Sequence, residues 1–188
     1  MLKTAKLYEE RLVPLILEHQ YELSQNLACG GTGGNTLNFP ETNESEHHFV
    51  SVDSDDEILG VCGYYIDWAS RVVTAIYIIS YSDVPRYQFG KDIIQMIDNI
   101  FTKFNLNKIE WTAYSDNKAM RPYRKFCKRY GGREIGTLHQ HILLMDGKVH
   151  DTTMFELMRE DYLSCKEMHK RDRRNHKERG TGNDDSEA

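Results

Sequence analysis

Two runs rich in β-branched and aromatic residues, Ile58–Trp68 and Val72–Ser80, are separated only by Ala69-Ser70-Arg71. Side chains branched at Cβ are stiff and fit a pleated surface, so the pair predicts a β-hairpin. Beyond Gly90 the period changes. Ile93, Ile94, Ile97, Ile100, Phe101 and Phe104 recur at helical spacing and mark one apolar face. A chain that passes from a hairpin into an amphipathic helix is neither a β-sandwich nor a helical bundle. The rest extends the alternation. Leu12, Leu15, Ile16, His19 and Leu23 predict a first helix with Pro14 near its start, and Phe49–Val52 a strand ended by the acidic turn Asp53–Asp56. Lys108–Ala113 reads as a strand. Ala119, Tyr123, Phe126, Cys127 and Tyr130 mark a helix closed by Gly131-Gly132. Arg133–Met145 and Thr152–Met158 follow as strands, turned at Asp146-Gly147. The predicted order is helix, three strands, helix, strand, helix, two strands. That is an α/β (α+β) fold with a mixed sheet covered by helices on both faces.

The 188 residues suit one domain, and 39% hydrophobic content is enough for a packed core. No stretch approaches the ~20 apolar residues of a membrane span. Met1–Lys6 leads into charged sequence without an apolar signal region, so the expected location is the cytoplasm. Cys29, Cys62, Cys127 and Cys165 form no C-x-x-C pair and are expected as reduced thiols. Cys62 and Cys127 sit in core-type patterns and read as packing. Net charge is −5; from Lys166 onward seven Lys/Arg face six Asp/Glu, leaving 17 basic against 23 acidic residues before it. An acidic body argues against a nucleic-acid partner and suits a cationic or amine substrate. The segment from Lys170 carries almost no apolar residue. The expected organisation is therefore a domain over 1–163 and a charged flexible tail over 164–188, helical at most near its start. Gly30-Gly31-Thr32-Gly33-Gly34 lacks the lysine of a Walker loop and reads equally as a linker or as a loop beside a site.

Three segments carry chemistry. Ile78–Asp92 runs from a strand through a loop with Pro85 and Gly90 into a helix, whose free N–H groups would favour an anion. Arg86 and Lys91 add charge, whereas Asp92 opposes it from the same first turn. An ordinary strand-to-helix turn accounts for the same spacing. The second segment, Ile109–Phe126, ends a strand at Ser115-Asp116-Asn117, all good N-cap residues, and Pro122 requires the next helix to start late or bend. The third holds Asp146-Gly147-Lys148-Val149-His150-Asp151 and closes with Leu157-Met158-Arg159-Glu160-Asp161-Tyr162. His139 and His141 share a strand face, but no third ligand is in view, and no metal is expected.

Together these segments resemble the GNAT superfamily of acetyl-CoA-dependent N-acetyltransferases, with the ribosomal-protein N-terminal acetyltransferases as the nearest branch. The likeness spans Ile58 to Tyr162. It rests on the element order, on Asp116-Asn117 before a tyrosine-bearing helix ended by glycine, on the Asp146–Asp151 hairpin and on the closing Arg159–Tyr162. It implies a largely antiparallel sheet splayed into a V, with acetyl-CoA as co-substrate between the strands ending near Ser80 and Ala113. It further implies pantetheine pairing near Ser82, Asp83 and Val84. The pyrophosphate would lie over Tyr87, Gln88, Phe89, Gly90 and Lys91, up to Asp92. Asn117 would help hold the cofactor, and Tyr123 would protonate the departing thiolate. The family's phosphate loop has more glycines, and its tyrosine falls seven positions after the asparagine instead of the six counted here.

Amine acetylation sets one demand of its own. At pH 7 a lysine-like amine with pKa near 10.4 is only ~0.04% neutral, a deficit of ~4.6 kcal/mol, so a base must take a proton. Glu110 is the candidate base, although an exposed strand carboxylate accounts for it as well. The expected function is acetyl transfer to a primary amine (a protein N-terminus, a lysine or a small amine) by direct attack in a ternary complex. A GNAT-fold binding or assembly protein without catalysis is the alternative, and self-association as a homodimer is open.

Overall fold

The computed structural model describes residues 1–19, 41–81, 87–144 and 146–180. Seven strands form one sheet in the order β1-β2-β3-β4-β5-β7-β6: β1 (Leu2–Thr4), β2 (Glu46–Val52), β3 (Ile58–Asp67), β4 (Val72–Ser80), β5 (Lys108–Tyr114), β6 (Arg133–Leu143) and β7 (Val149–Met158). All neighbours are antiparallel except β4 and β5. The helices are α1 (Glu9–His19), α2 (Tyr87–Thr102), α3 (Met120–Tyr130) and α4 (Arg159–Gly180), with a single 3₁₀ turn over Ala5–Tyr8. The mixed, mostly antiparallel sheet expected from the sequence is present. β1 is an addition, too short to show a period.

Two apolar layers sandwich the sheet. On one face Cys62, Tyr64, Val73, Ile109, Trp111 and Phe155 meet Met96, Ile100 and Phe101 of α2 and Cys127 of α3. On the other, Val50, Val52 and Val61 meet Leu12 and Ile16 of α1. Alternation along each strand divides the residues between the faces. In β4, Ile76 and Ile78 pack on the α2 side, whereas Tyr77 and Ile79 pack on the α1 side. Gly60 lets α2 approach: a Cβ there would lie 2.7 Å from the Phe89 ring and 2.4 Å from the Ile79 carbonyl oxygen.

The parallel pair fixes the shape. β4 and β5 are in register only at Val72–Lys108 and Val73–Ile109. Just beyond, Ala75 takes a positive φ of 48° where the β3–β4 register shifts. A bulge bends the strand that carries it, and here it turns β4 away from β5. The sheet opens into a V from that point on.

The chain after residue 163 differs from expectation. α4 continues through Gly180, so the charged segment is helical. Its start is docked: Lys166 pairs with Asp98 of α2, and His169 stands edge-on against Tyr130 of α3, 5.8 Å between ring centroids. A helix can carry this many charges because i,i+3 and i,i+4 neighbours pair, as Glu167 and Lys170 do at 2.6 Å. Residues 181–188, and the glycine-rich run at 30–34, lie outside the described residues.

Candidate active site

A cleft of about 600 Å³ fills the V between the diverging strands. Ile76, Ile78 and Ser80 of β4 form one wall, Trp111 of β5 and Tyr123 of α3 the other, and Gly90 of α2 stands at its margin. The floor is apolar and aromatic. Trp111 stacks on Phe155 with ring centroids 5.2 Å apart and meets Tyr123 edge-on at 6.2 Å. Past Val73 the β5-facing edge of β4 has no strand partner among the described residues, so its N–H and C=O groups border the cleft.

Local sequence explains how α3 presents Tyr123. Asn117 begins an Asx turn: its Oδ1 accepts from the Ala119 N–H at 2.7 Å and its carbonyl from the Met120 N–H at 2.9 Å. The first i→i−4 bond of the helix is donated by Tyr123 to Ala119 at 2.9 Å. The helix starts at Met120, three residues after Asn117, so Pro122 sits in its first turn, where a helix has donors to spare. Gly131 ends the helix with φ 82° and donates to the Cys127 carbonyl. The Tyr123 hydroxyl has no hydrogen-bond partner among the described residues, and burial pushes the phenol above its ordinary value.

The first turn of α2 is the other polar element. Tyr87 is exposed, with the Lys91 Nζ 4.4 Å above its ring. Gly90 is exposed, and a Cβ built on it would meet nothing within 4 Å. Phe89 is buried against Gly60, anchors the helix and offers no ring to a phosphate. Gln88 donates to Asp92 Oδ1 at 2.7 Å. The expectation that Asp92 opposes an anion is corrected. Its carboxylate is 2% exposed on the sheet side of α2, where it accepts from Ser51 Oγ at 2.6 Å and pairs with the Met1 amine at 2.8 Å. A residue two positions past Gly90 is rotated by ~200° around the helix, so the two cannot share a side. Ser82, Asp83, Val84 and Arg86 lie outside the described residues.

Glu110 is not brought beside Tyr123. It alternates to the α1 face of β5, one residue past the last β4–β5 pair, and forms an ion pair with Lys108. Lys108 also lies 3.6 Å from Glu156, which is paired with Arg133 at 2.6 Å. His139 pairs with Asp151 at 2.8 Å, and no group of metal-ligating residues occurs among the described residues. Cys62 and Cys127 are buried, with burial pushing the Cys127 thiol up to about 11. The cleft residues that sequence reasoning missed, Trp111, Ile76 and Met96 among them, look like any core apolar residue in sequence. Only the splay separates lining from core.

No family model matches the chain, and no curated protein does. Solved structures do. A spermidine/spermine N-acetyltransferase of Vibrio cholerae, in mutant form, aligns over 87% of this chain and 96% of its own at 18% identity and TM-score 0.65. A second mutant of that organism's spermidine N-acetyltransferase aligns over 87% and 97% at 18% identity and TM-score 0.64. The same enzyme in complex with CoA and spermine covers 82% and 77% at 20% identity and TM-score 0.55. The chain has the GNAT acetyltransferase fold. These neighbours support the superfamily's architecture and lend nothing to the ribosomal-protein branch.

Proposed function

We propose that the chain is an N-acetyltransferase that takes acetyl-CoA in the V-shaped cleft and transfers the acetyl group to an amine. The observation that carries the reading is Tyr123, a half-buried phenol whose hydroxyl has no hydrogen-bond partner among the described residues, held on the cleft wall opposite the edge of β4 that turns away from β5 past Val73. A packing tyrosine finds a backbone acceptor for its hydroxyl. This one faces a cavity with room for a ligand.

The residues present fit the cofactor. An extended pantetheine amide would pair with the open edge of β4, as an added strand pairs with a sheet edge. The bare backbone at Gly90 leaves the space a phosphate needs, and the α2 N-terminus and Lys91 are of suitable charge. When bound, acetyl-CoA supplies an activated acetyl thioester that an amine can attack directly. The apolar walls keep water from competing. Tyr123, protonated at neutral pH as any phenol is and with its pKa raised further by burial, donates to the leaving sulfur. Glu110, the candidate base, lies on the other face of the sheet from the cleft, so it can take an amine's proton only from an acceptor arriving on that face. To do so it must give up Lys108.

Among acceptors, small polyamines are the first to test. The body is acidic, and the neighbours named for spermidine and spermine share the fold. Thermal unfolding with and without acetyl-CoA tests the cofactor, with a gain of ~2.7 kcal/mol expected at 100 times the dissociation constant. Thiol release with spermidine, an N-terminal peptide and a lysine peptide tests the acceptor. No stabilisation at millimolar acetyl-CoA would favour a non-catalytic GNAT-fold protein.

A further inference from the structure

His150 of β7 lies between two carboxylates. Its Nε2 is 3.0 Å from Asp146 Oδ2 in the β6–β7 turn, and its Nδ1 is 3.2 Å from Asp116 Oδ2 in the loop between β5 and α3. An ionised carboxylate only accepts, so both contacts are hydrogen bonds only when both ring nitrogens carry a proton. The side chain is only 13% exposed and its ring meets Tyr114 edge-on at 5.8 Å. Asp146 is itself fixed by the Lys148 N–H at 2.9 Å. Asp116 directly precedes Asn117, whose Asx turn leads into α3 and which borders the cleft.

We propose that His150, as an imidazolium bridging Asp116 and Asp146, is a positioning residue. It ties the β5–α3 loop to the β6–β7 turn and so holds the Asn117 side of the cleft in its ligand-ready place. This rests on the functional reading above only for the identity of the ligand. The charged and titratable groups facing the ring are Asp116 and Tyr114 from the β5 side and Asp146 and Lys148 from the turn. His139 and Asp151 form a separate pair one step along β7, where side chains alternate to the other face. The two carboxylates raise the His150 pKa above 6.5. The clamp is therefore complete below that value and is released as pH rises through the raised one.

Hydrogen exchange of the Ala119 and Met120 amides, corrected for intrinsic rates, reads the loop directly; acetyl-CoA calorimetry reads the cleft. Both are run on the full chain at pH 6 and pH 9. The wild type should lose protection and affinity about tenfold at the higher pH. His150→Gln should show the released values at both pH values. Asp146→Asn, which keeps the imidazole, should be intermediate, and His139→Gln should resemble the wild type. Equal protection in the wild type and His150→Gln would overturn the clamp. A released loop with unchanged affinity would overturn its positioning role. A wild type whose loop responds as described but that binds no acetyl-CoA at either pH would overturn the functional reading and leave the clamp standing.

Discussion

Tyr123 and Asp92 behave differently from what their spacing alone would suggest. The count from Asn117 places Tyr123 one residue early for a GNAT acid, a displacement of ~100° on a helix. The Asx turn and Pro122 set where the helix begins, and the ring still reaches the cleft. Tyr123→Phe should lower turnover by ~10²–10⁴-fold while acetyl-CoA affinity holds, read by steady-state kinetics beside calorimetry. Tyr130→Phe is the control, since Tyr130 packs on Phe126, Tyr162 and His169 instead. Gly90→Glu should abolish acetyl-CoA binding, because it fills the open space at the helix start with a carboxylate. Asp92→Gly is expected to destabilise rather than to tighten binding. It strands Ser51 and Gln88 and adds a helix glycine, together costing about 2–4 kcal/mol in denaturant titration. A sequence cannot tell which side of a helix's first turn faces a ligand until the partner sheet is known. That is why Asp92 looked like an intruder among phosphate contacts.

Strands and helices with a clear period were legible, and their junctions were not. The β3–β4 hairpin, α2, β5, α3 and the Asp146-Gly147 turn follow from alternation, helical spacing and glycine placement. The bulge at Ala75 follows from none of these, because alanine in a strand run gives no sign of a positive φ. The part of α4 beyond residue 163 reads as a tail because its sequence is charged and almost free of apolar residues; its docking depends on Asp98 and Tyr130, both distant in sequence. Truncation before Lys166 should therefore lower the melting temperature by several degrees, through loss of the Lys166–Asp98 pair and the His169 contact, at ~2–4 °C per kcal/mol for a chain of this size. Truncation before Arg171 should leave it nearly unchanged. Differential scanning calorimetry separates the two.

Across the whole molecule, stability should depend on pH through β2. His47 is buried between Tyr64 at 4.8 Å and Phe104 at 5.1 Å, and burial depresses its pKa and that of His48. The folded protein resists protonation there while the unfolded chain accepts it near 6.5. Their stabilising contribution is thus present above that pH and is lost as pH falls below it. Melting temperature should drop between pH 7 and pH 5, and His47→Phe, which keeps the ring stack, should flatten that slope.

The two-residue ladder between β4 and β5 also makes the molecule divisible. β1–β4 with α1 form one continuous antiparallel unit, β5–β7 with α3 and α4 another, and strand pairing joins them only at Val72–Lys108 and Val73–Ile109. Around that seam the Asn107 N–H donates to the Arg71 carbonyl, the Arg159 N–H donates to the Asn107 carbonyl, and α2 spans the sheet behind it. Cutting the chain in the 103–107 turn severs no strand and no helix. Co-expressed halves should therefore find each other and rebuild the cleft at their own boundary. A binding site composed by two fragments in this way would report their association through acetyl-CoA itself.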